Sequence, residues 1–248
     1  MMSVSNRFGL IGFPLTHSFS KKYFTEKFEK EGLSKDFQYD LFPIENASDF
    51  KNIIGLYPEL KGLNVTIPHK ESVLPLLDEI DQSASTIGAV NTIKIEKGKT
   101  KGYNTDVIGF KESLQTFLKG TPIKQALILG TGGAGKAVAY VLQQMNISFE
   151  WVSRGSVKGV LNYSNLKGSL NDFKLIINTT PLGTYPNVDA CPDIPYQELT
   201  NHHFLFDLVY NPTTTTFMKK GLDANCKVIN GLEMLHLQAD AAWEIWNS

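Results

Sequence analysis

One stretch, Gln125 to Arg154, limits the chain more than any other. Ala126-Leu127-Ile128-Leu129 is short, wholly apolar and stops at Gly130, the pattern of a buried parallel strand running into a tight turn. Gly130, Gly132 and Gly135 then stand at G-x-G-x-x-G spacing. Lys136 to Met145 carries Val138, Val141, Leu142 and Met145 on one helical face, and Ile147 to Val152 reads as a second strand. Strand, glycine turn, helix and strand together place the bare N–H groups of a helix start where a pyrophosphate can approach the backbone. Gly130, Thr131, Gly132, Gly133, Ala134 and Gly135 are therefore candidate cofactor contacts, with a purely structural turn as the alternative. The same letters nearly spell a triphosphate-binding loop, G-x-x-x-x-G-K, but Ala137 stands where a Ser or Thr hydroxyl would hold Mg²⁺.

The choice of dinucleotide falls at the end of the second strand, where an NAD-binding fold places a carboxylate on the ribose hydroxyls. This chain has Ser153-Arg154-Gly155-Ser156-Val157-Lys158 instead. No carboxylate repels a 2′-phosphate, and Arg154 can grip one bidentately while stacking on adenine. The spacing thus predicts NADP(H), with Ser153, Arg154 and Lys158 as contacts. The alternative for Arg154 and Lys158 is ordinary surface cations.

The rest of the composition excludes other classes. The 248 residues suit one large domain or two modest ones, and 42% hydrophobic with 20% charged residues is ordinary for a globular protein. A formal net charge of -1, with no basic run interleaved with aromatics, predicts no nucleic-acid partner. No apolar run approaches the roughly 20 residues of a membrane span, and the N-terminal MMSVSNRFGLIGFP has no secretory pattern. Cys191 and Cys226 lack nearby ligand pairs, which predicts a reduced, cytoplasmic setting, no disulfide and no metal site.

Read in order, Phe8–Phe13 is a strand, Pro14 to Ser20 a polar turn, and Ser20–Glu31 a helix ended by Gly32. Ser18 and Ser20 therefore lie at a helix N-terminus, where either is an N-cap or an anion contact. Phe37–Phe42 is a strand, Ala47–Tyr57 a helix and Gly62–Ile67 a strand stopped by Pro68. That gathers Asn64, Thr66 and Lys70 near a strand's carboxyl end, the ligand-binding end of open α/β sheets. The helix beyond Pro68 is split or kinked at Pro75. Gly88–Ile95 and Lys101–Tyr103 form a hairpin, and Asp106 is a good N-cap for a helix over Val107–Leu118.

Thr121-Pro122 links this part to the glycine-rich unit. There Phe173–Ile177, Phe204–Tyr210 and Lys227–Ile229 continue a doubly wound parallel sheet, with a helix over Phe217–Leu222. In the final helix, Leu232–Trp246, Gln238 interrupts a stripe of Met234, Leu235, Ala241, Ala242 and Ile245. Its amide either finds internal partners or faces a polar ligand.

Several fragments together resemble the shikimate dehydrogenase family: G-F-P-L-T-H-S-F-S (Gly12–Ser20), N-V-T-I-P-H-K (Asn64–Lys70), G-A-V-N-T (Gly88–Thr92) and N-T-D (Asn104–Asp106). The glycine turn, I-N-T-T-P (Ile177–Pro181) and G-L-E-M-L-x-x-Q-A (Gly231–Ala239) complete the set, which spans essentially the whole chain. The resemblance implies an α/β protein of two domains with a cleft between them. Residues 1–106 plus 231–248 would form a substrate-binding domain with a mixed sheet, and 107–230 a Rossmann-type NADP domain with 107–120 as hinge helix.

It also implies site roles. Ser18 and Ser20, with Tyr210, hold the substrate carboxylate. Thr66, Lys70, Asn91, Asp106 and Gln238 bind ring hydroxyls and the reacting carbonyl, with Asn64 beside them. Lys70 and Asp106 are the catalytic pair, and Asn178, Thr179, Thr180, Gly231 and Met234 join the cofactor site. The implied reaction is reversible NADPH-dependent reduction of 3-dehydroshikimate to shikimate, by a monomer or homodimer acting on a small molecule.

Two features depart from the family pattern: Lys21 replaces the usual proline after the second serine, and Ser153-Arg154-Gly155 replaces Asn-Arg-Thr, which predicts a weaker hold on the cofactor. Competing readings are a quinate/shikimate dehydrogenase of relaxed choice and a non-catalytic NADP-binding sensor. A methylenetetrahydrofolate-type dehydrogenase is not supported by the serine pair or Gln238.

Overall fold

The computed structural model describes residues 5–15, 18–155 and 158–248; Thr16 and His17 of the Gly12–Ser20 fragment, and Ser156 and Val157, lie outside them. The chain forms two compact units, residues 1–105 with 239–248, and residues 106–238.

In the first unit, β1 (Asn6–Gly12) leads into α1 (Phe19–Lys30), β2 (Phe37–Pro43), α2 (Phe50–Leu56), β3 (Leu60–Val65) and α3 (His69–Ser72). Then follow β4 (Glu79–Ile80), α4 (Gln82–Ile87), β5 (Thr92–Glu96) and β6 (Lys99–Tyr103). The sheet order is β2-β1-β3-β5-β6-β4. β1 pairs in parallel with β2 and β3, and β5 pairs antiparallel with both β3 and β6, so the sheet is mixed, as the sequence predicts. One core is largely aliphatic, around Ile11, Leu63, Val65 and Ile93. The other is aromatic: Phe8, Phe24, Phe28, Tyr39 and Trp246.

In the second unit, α5 (Asp106–Leu118) precedes β7 (Gln125–Leu129), α6 (Gly133–Gln144), β8 (Ser148–Ser153), β9 (Leu161–Asn162), β10 (Leu175–Asn178) and β11 (Phe204–Asp207). It continues with α7 (Thr216–Asp223), β12 (Lys227–Ile229) and α8 (Leu232–Asn247), the last helix passing into the first unit at Ala239. The order β12-β11-β10-β7-β8-β9 is wholly parallel and reverses direction between β7 and β10. Ligands bind at such a reversal, outside the strands' carboxyl ends.

Several elements differ from their predicted extents. The expected helix over Ala47–Tyr57 is a 3-10 turn over Ala47–Asp49 followed by α2, because Ser48 and Asp49 suit a turn better than a helix interior. Gln82–Ile87, read from sequence as a lead-in, is helical, capped by the Asp81 carboxylate on the Ser83 N–H and ended by Gly88 in the left-handed region. The strand expected to run through Ile67 ends at Val65, although the Thr66 N–H still donates to Ile11 O at 2.9 Å. The strand expected through Tyr210 ends at Asp207, whose Oδ1 accepts the Val209 N–H at 3.0 Å and turns the chain aside. In α8 it is Trp246, not Ile245, that is buried. Its indole N–H donates to Ile93 O at 3.0 Å, and a Cβ on Gly62 would collide with the ring.

Candidate functional site

In the second unit the site is made mostly of backbone. Gly130 has φ +107, a conformation that L side chains avoid, and a Cβ there would stand 2.9 Å from Thr179 Oγ1. At Gly135 a Cβ would meet Gly130 O at 2.7 Å, so both glycines keep the turn folded tightly between β7 and α6. Gly132 is the N-cap of α6 and contributes no side-chain cap, which leaves the first N–H groups of a 12-residue helix for an anion.

Thr179 fastens the neighbouring strand end to this turn, its hydroxyl donating to Leu129 O at 2.8 Å. A concavity of about 540 Å³ is lined by Gly130, Thr131, Gly132, Ser153, Arg154, Tyr163, Thr179 and Thr180 among others. Bare amides at one part of its wall and an exposed Arg154 at another fit a phosphorylated dinucleotide. Tyr163, which the sequence reading did not select, belongs to this wall. Burial raises its pKa while Arg154 pulls it down, so the ring and the guanidinium are near neighbours.

The other predicted cofactor residues do not line this concavity. Gly133, Ala134 and Gly135 form the first turn of α6, and Lys158 is exposed. Asn178 is fully buried. Its Oδ1 accepts the Thr180 N–H at 3.0 Å and the Thr180 hydroxyl at 2.6 Å, and its Nδ2 donates to Asp207 Oδ1 at 2.9 Å. It shapes the turn that presents Thr179 and Thr180. Gly231 donates to Val209 O at 3.2 Å and lies so close to the Leu208 backbone that no Cβ fits; Met234 is packed in the core beside Phe110.

Asp207 is the one buried carboxylate in this region. Burial pushes it up to about 6, against the Thr215 hydroxyl (2.5 Å), the Val209 N–H and the Asn178 amide, which all favour the charged form.

In the first unit the site is made of side chains. Ser18 caps α1, its Oγ accepting the Lys21 N–H at 3.2 Å, so the capping role weighed from sequence is realised. Ser20 lies two residues on, in the first turn. Asn64, at the end of β3, is buried, with Oδ1 accepting from the Tyr39 hydroxyl at 2.7 Å and Nδ2 directed to Asn91 O and Thr92 Oγ1 at 3.4 and 3.3 Å. Asn91 Oδ1 in turn accepts from the Thr105 N–H at 2.7 Å and from the Thr92 hydroxyl at 3.1 Å.

Thr66 follows β3 and accepts the His69 N–H at 2.9 Å, which starts α3. Lys70 sits in that single turn of helix. The His69 ring contacts Ile44 O at 2.7 Å and Lys70 O accepts the Val90 N–H at 2.7 Å, so the lysine's backbone is held from two directions. Tyr39, Asn64 and Asn91 are thus linked within one unit, and the segment bearing Lys70 is bonded to the residue before Asn91. Asp106 opens α5 directly after Thr105, Tyr210 lies beyond β11 with its phenol pKa raised by burial, and Gln238 is buried in α8 with Nε2 donating to Leu235 O at 2.9 Å. Among the described residues no group of His, Cys, Asp and Glu could hold a metal ion, and no helix is long and apolar enough to cross a membrane.

Residues 10–93 match the model of the shikimate dehydrogenase substrate-binding domain. A shikimate dehydrogenase (NADP(+)) of Methanococcus maripaludis is 38% identical over 254 residues, covering 96% of this chain and 90% of that one. Among solved structures, a shikimate dehydrogenase in complex with NADP⁺ superposes with a TM-score of 0.85 at 35% identity, covering 99% of this chain and 91% of the other. The Thermus thermophilus shikimate 5-dehydrogenase in complex with NADP(H) and shikimate gives 0.85 at 30% identity, covering 97% and 93%.

Proposed function

From the premise that the chain belongs to the shikimate dehydrogenase family, we propose that Lys70 and Asp106 are its catalytic pair. The reaction is the reversible NADP-dependent interconversion of 3-dehydroshikimate and shikimate, a step of the shikimate pathway. We assign residues 1–106 with 231–248 to substrate binding and 107–230 to NADP; the compact units divide α8 later, at Ala239. The two widely separated cysteines suit a reduced, cytoplasmic setting, and the family resemblance implies a monomer or homodimer.

The observation that carries this reading is the buried hydrogen-bonded set of the first unit. Tyr39, Asn64 and Asn91 are joined there beside a doubly anchored helix turn bearing Lys70. Reducing a ketone builds negative charge on its oxygen, which needs a cation or a proton donor beside it. The Lys70 ammonium supplies both. Asp106 orients that ammonium and accepts from a ring hydroxyl.

Ser18 and Ser20, at the positive end of α1, hold the substrate carboxylate with Tyr210, while Asn64, Thr66, Asn91 and Gln238 hold hydroxyls. NADPH, when bound, supplies the hydride. The tight glycine turn, the bare α6 amides and Arg154 suit its pyrophosphate and 2′-phosphate.

Absorbance at the NADPH band, with shikimate and quinate each offered against NADP and NAD, is the direct assay, and shikimate with NADP is the pair expected to turn over. Lys70→Ala lowers kcat by roughly 10²- to 10⁴-fold with shikimate affinity closer to normal; an unchanged kcat removes Lys70 from the chemistry. Arg154→Ala raises the KM for NADPH far more than that for NADH, and equal effects on the two would contradict the 2′-phosphate role.

A further inference from the structure

We propose that Tyr39 is a positioning residue of the substrate site, its hydroxyl setting the orientation of the Asn64 amide on β3. The inference rests on the assignment of Ser20 and Asn64 to substrate. An aromatic residue in a strand ordinarily needs no explanation beyond the core, and the Tyr39 ring does stack on Phe24 with centroids 4.7 Å apart and planes 12° apart. Its hydroxyl is not explained by packing. Tyr39 is 2% exposed, and its hydroxyl donates to Asn64 Oδ1 at 2.7 Å. A buried phenol that donates to a buried amide fixes which way that amide faces.

The consequence for Asn64 is specific. With Oδ1 committed to the Tyr39 hydroxyl, the amide can face only one way, and Nδ2 must point to Asn91 O and Thr92 Oγ1. The Thr92 hydroxyl continues to Asn91 Oδ1, which also holds Thr105, the residue before Asp106. Three residues proposed to touch or precede a touch on substrate, Asn64, Asn91 and Thr105, are thereby set by one chain of hydrogen bonds starting at Tyr39. Loss of the hydroxyl leaves Asn64 free to flip.

The test is Tyr39→Phe in the full chain, which keeps the ring and removes only the oxygen, with Asn64→Ala and Ser20→Ala measured beside it. Tyr39→Phe is expected to raise the KM for shikimate about 5- to 20-fold. The KM for NADP stays within about twofold, and the variant adds little further loss in an Asn64→Ala background. A merely structural tyrosine gives another result: the two KM values move together as the melting temperature falls, or neither moves, and either outcome overturns the proposal. If Asn64→Ala and Ser20→Ala both leave the shikimate KM unchanged, the site assignment itself fails instead. Should Tyr39→Phe not accumulate as folded protein, Thr92→Val breaks the same chain one step on, and an unaltered shikimate KM there overturns the proposal too.

Discussion

The two units build their proposed ligand sites from opposite materials. Around Gly130 to Gly135 the proposed contacts are backbone amides, and the sequence must supply the absence of side chains. Around Asn64 and Asn91 they are side-chain amides, each oriented by neighbouring groups, and the sequence must supply particular atoms. A pyrophosphate accepts hydrogen bonds from many directions, so a turn and a helix start suffice. A hydroxylated ring has donors and acceptors at fixed angles, so every side chain facing it needs a neighbour that sets its orientation. The second unit should therefore fail when atoms are added and the first when atoms are removed.

The largest expected effect is Asn91→Ala. It strips an acceptor from the Thr105 N–H and the Thr92 and Thr105 hydroxyls, all buried. At roughly 1–3 kcal/mol for each buried donor left unmade, stability should fall by more than about 3 kcal/mol in a denaturant titration. A loss under about 1 kcal/mol would mean that water replaces the amide, and the contrast between the units would weaken.

Asp207 sharpens the comparison, because it is the place where the backbone-built unit relies on a side chain. The strand ends at Asn178 and Asp207 both turn on their own side chains and are joined by the 2.9 Å bond between them. Burial raises the Asp207 carboxyl from the ordinary 3.8 to about 6. Below about pH 4 it is protonated in folded and unfolded chains alike. As pH rises toward about 6, the unfolded chain sheds its proton first, so stability is lost across that interval, by up to roughly 3 kcal/mol if the shift is fully expressed. Asp207→Asn keeps the shape and removes the titration. Melting temperatures from pH 4 to 7 should fall in the parent and flatten in the variant; equal slopes would show that Asp207 stays ionised on its three donors.

Adding an atom to the second unit is the next test. In Gly135→Ala the new Cβ stands 2.7 Å from Gly130 O, a backbone atom that cannot swing away. Overpacking of this kind costs roughly 1–3 kcal/mol, and since the displaced turn is the cofactor cradle, the NADPH KM should rise by about 10- to 100-fold. The shikimate KM should change little. A variant that binds NADPH normally would show that the cradle yields without loss.

The same contrast explains how much could be read before the structure. The glycine spacing, with Ala137 excluding a triphosphate loop, made the second unit's tight turn legible because such a turn is written as missing side chains at fixed intervals. Ser18, Ser20, Asn64, Lys70 and Asn91 were legible as candidates, through strand ends and family resemblance. What orients Asn64 was not. Tyr39 alternates into the core like any strand aromatic, and nothing local marks its hydroxyl as the partner of Asn64. Tyr163 was missed because it sits in a polar stretch with no periodicity. The short helix Gln82–Ile87 was missed because Gln-Ser-Ala-Ser-Thr-Ile is one short run whose apolar face is only Ala84 and Ile87, and caps at both ends define it instead. Trp246 displaced Ile245 from the core because the available space lies over Gly62, a tertiary fact.

The smallest effect is expected where the first unit itself uses backbone. Lys21 stands where the family usually has proline, and its N–H is the group that Ser18 caps at 3.2 Å. Accepting that N–H leaves the Ser18 hydroxyl hydrogen free to point outward, so the cap and the proposed carboxylate contact are compatible uses of one oxygen. Lys21→Pro removes the N–H. It forfeits a cap of about 0.5–2 kcal/mol and gains about 0.4–1 kcal/mol from a stiffer unfolded chain if the backbone accepts the ring. The net change in stability should stay near or below about 1 kcal/mol. Lys21→Ala is the control, since it keeps the N–H but removes the ammonium that reaches the partly buried Asp40 at 3.2 Å. With the hydroxyl no longer aligned by the backbone, the shikimate KM of Lys21→Pro should rise only a few-fold above that of Lys21→Ala, because the rotor is freed but the oxygen remains. A tenfold or larger rise would place Ser18 among the side chains that must be oriented to work, and a fall would mean that the cap competes with substrate for Ser18.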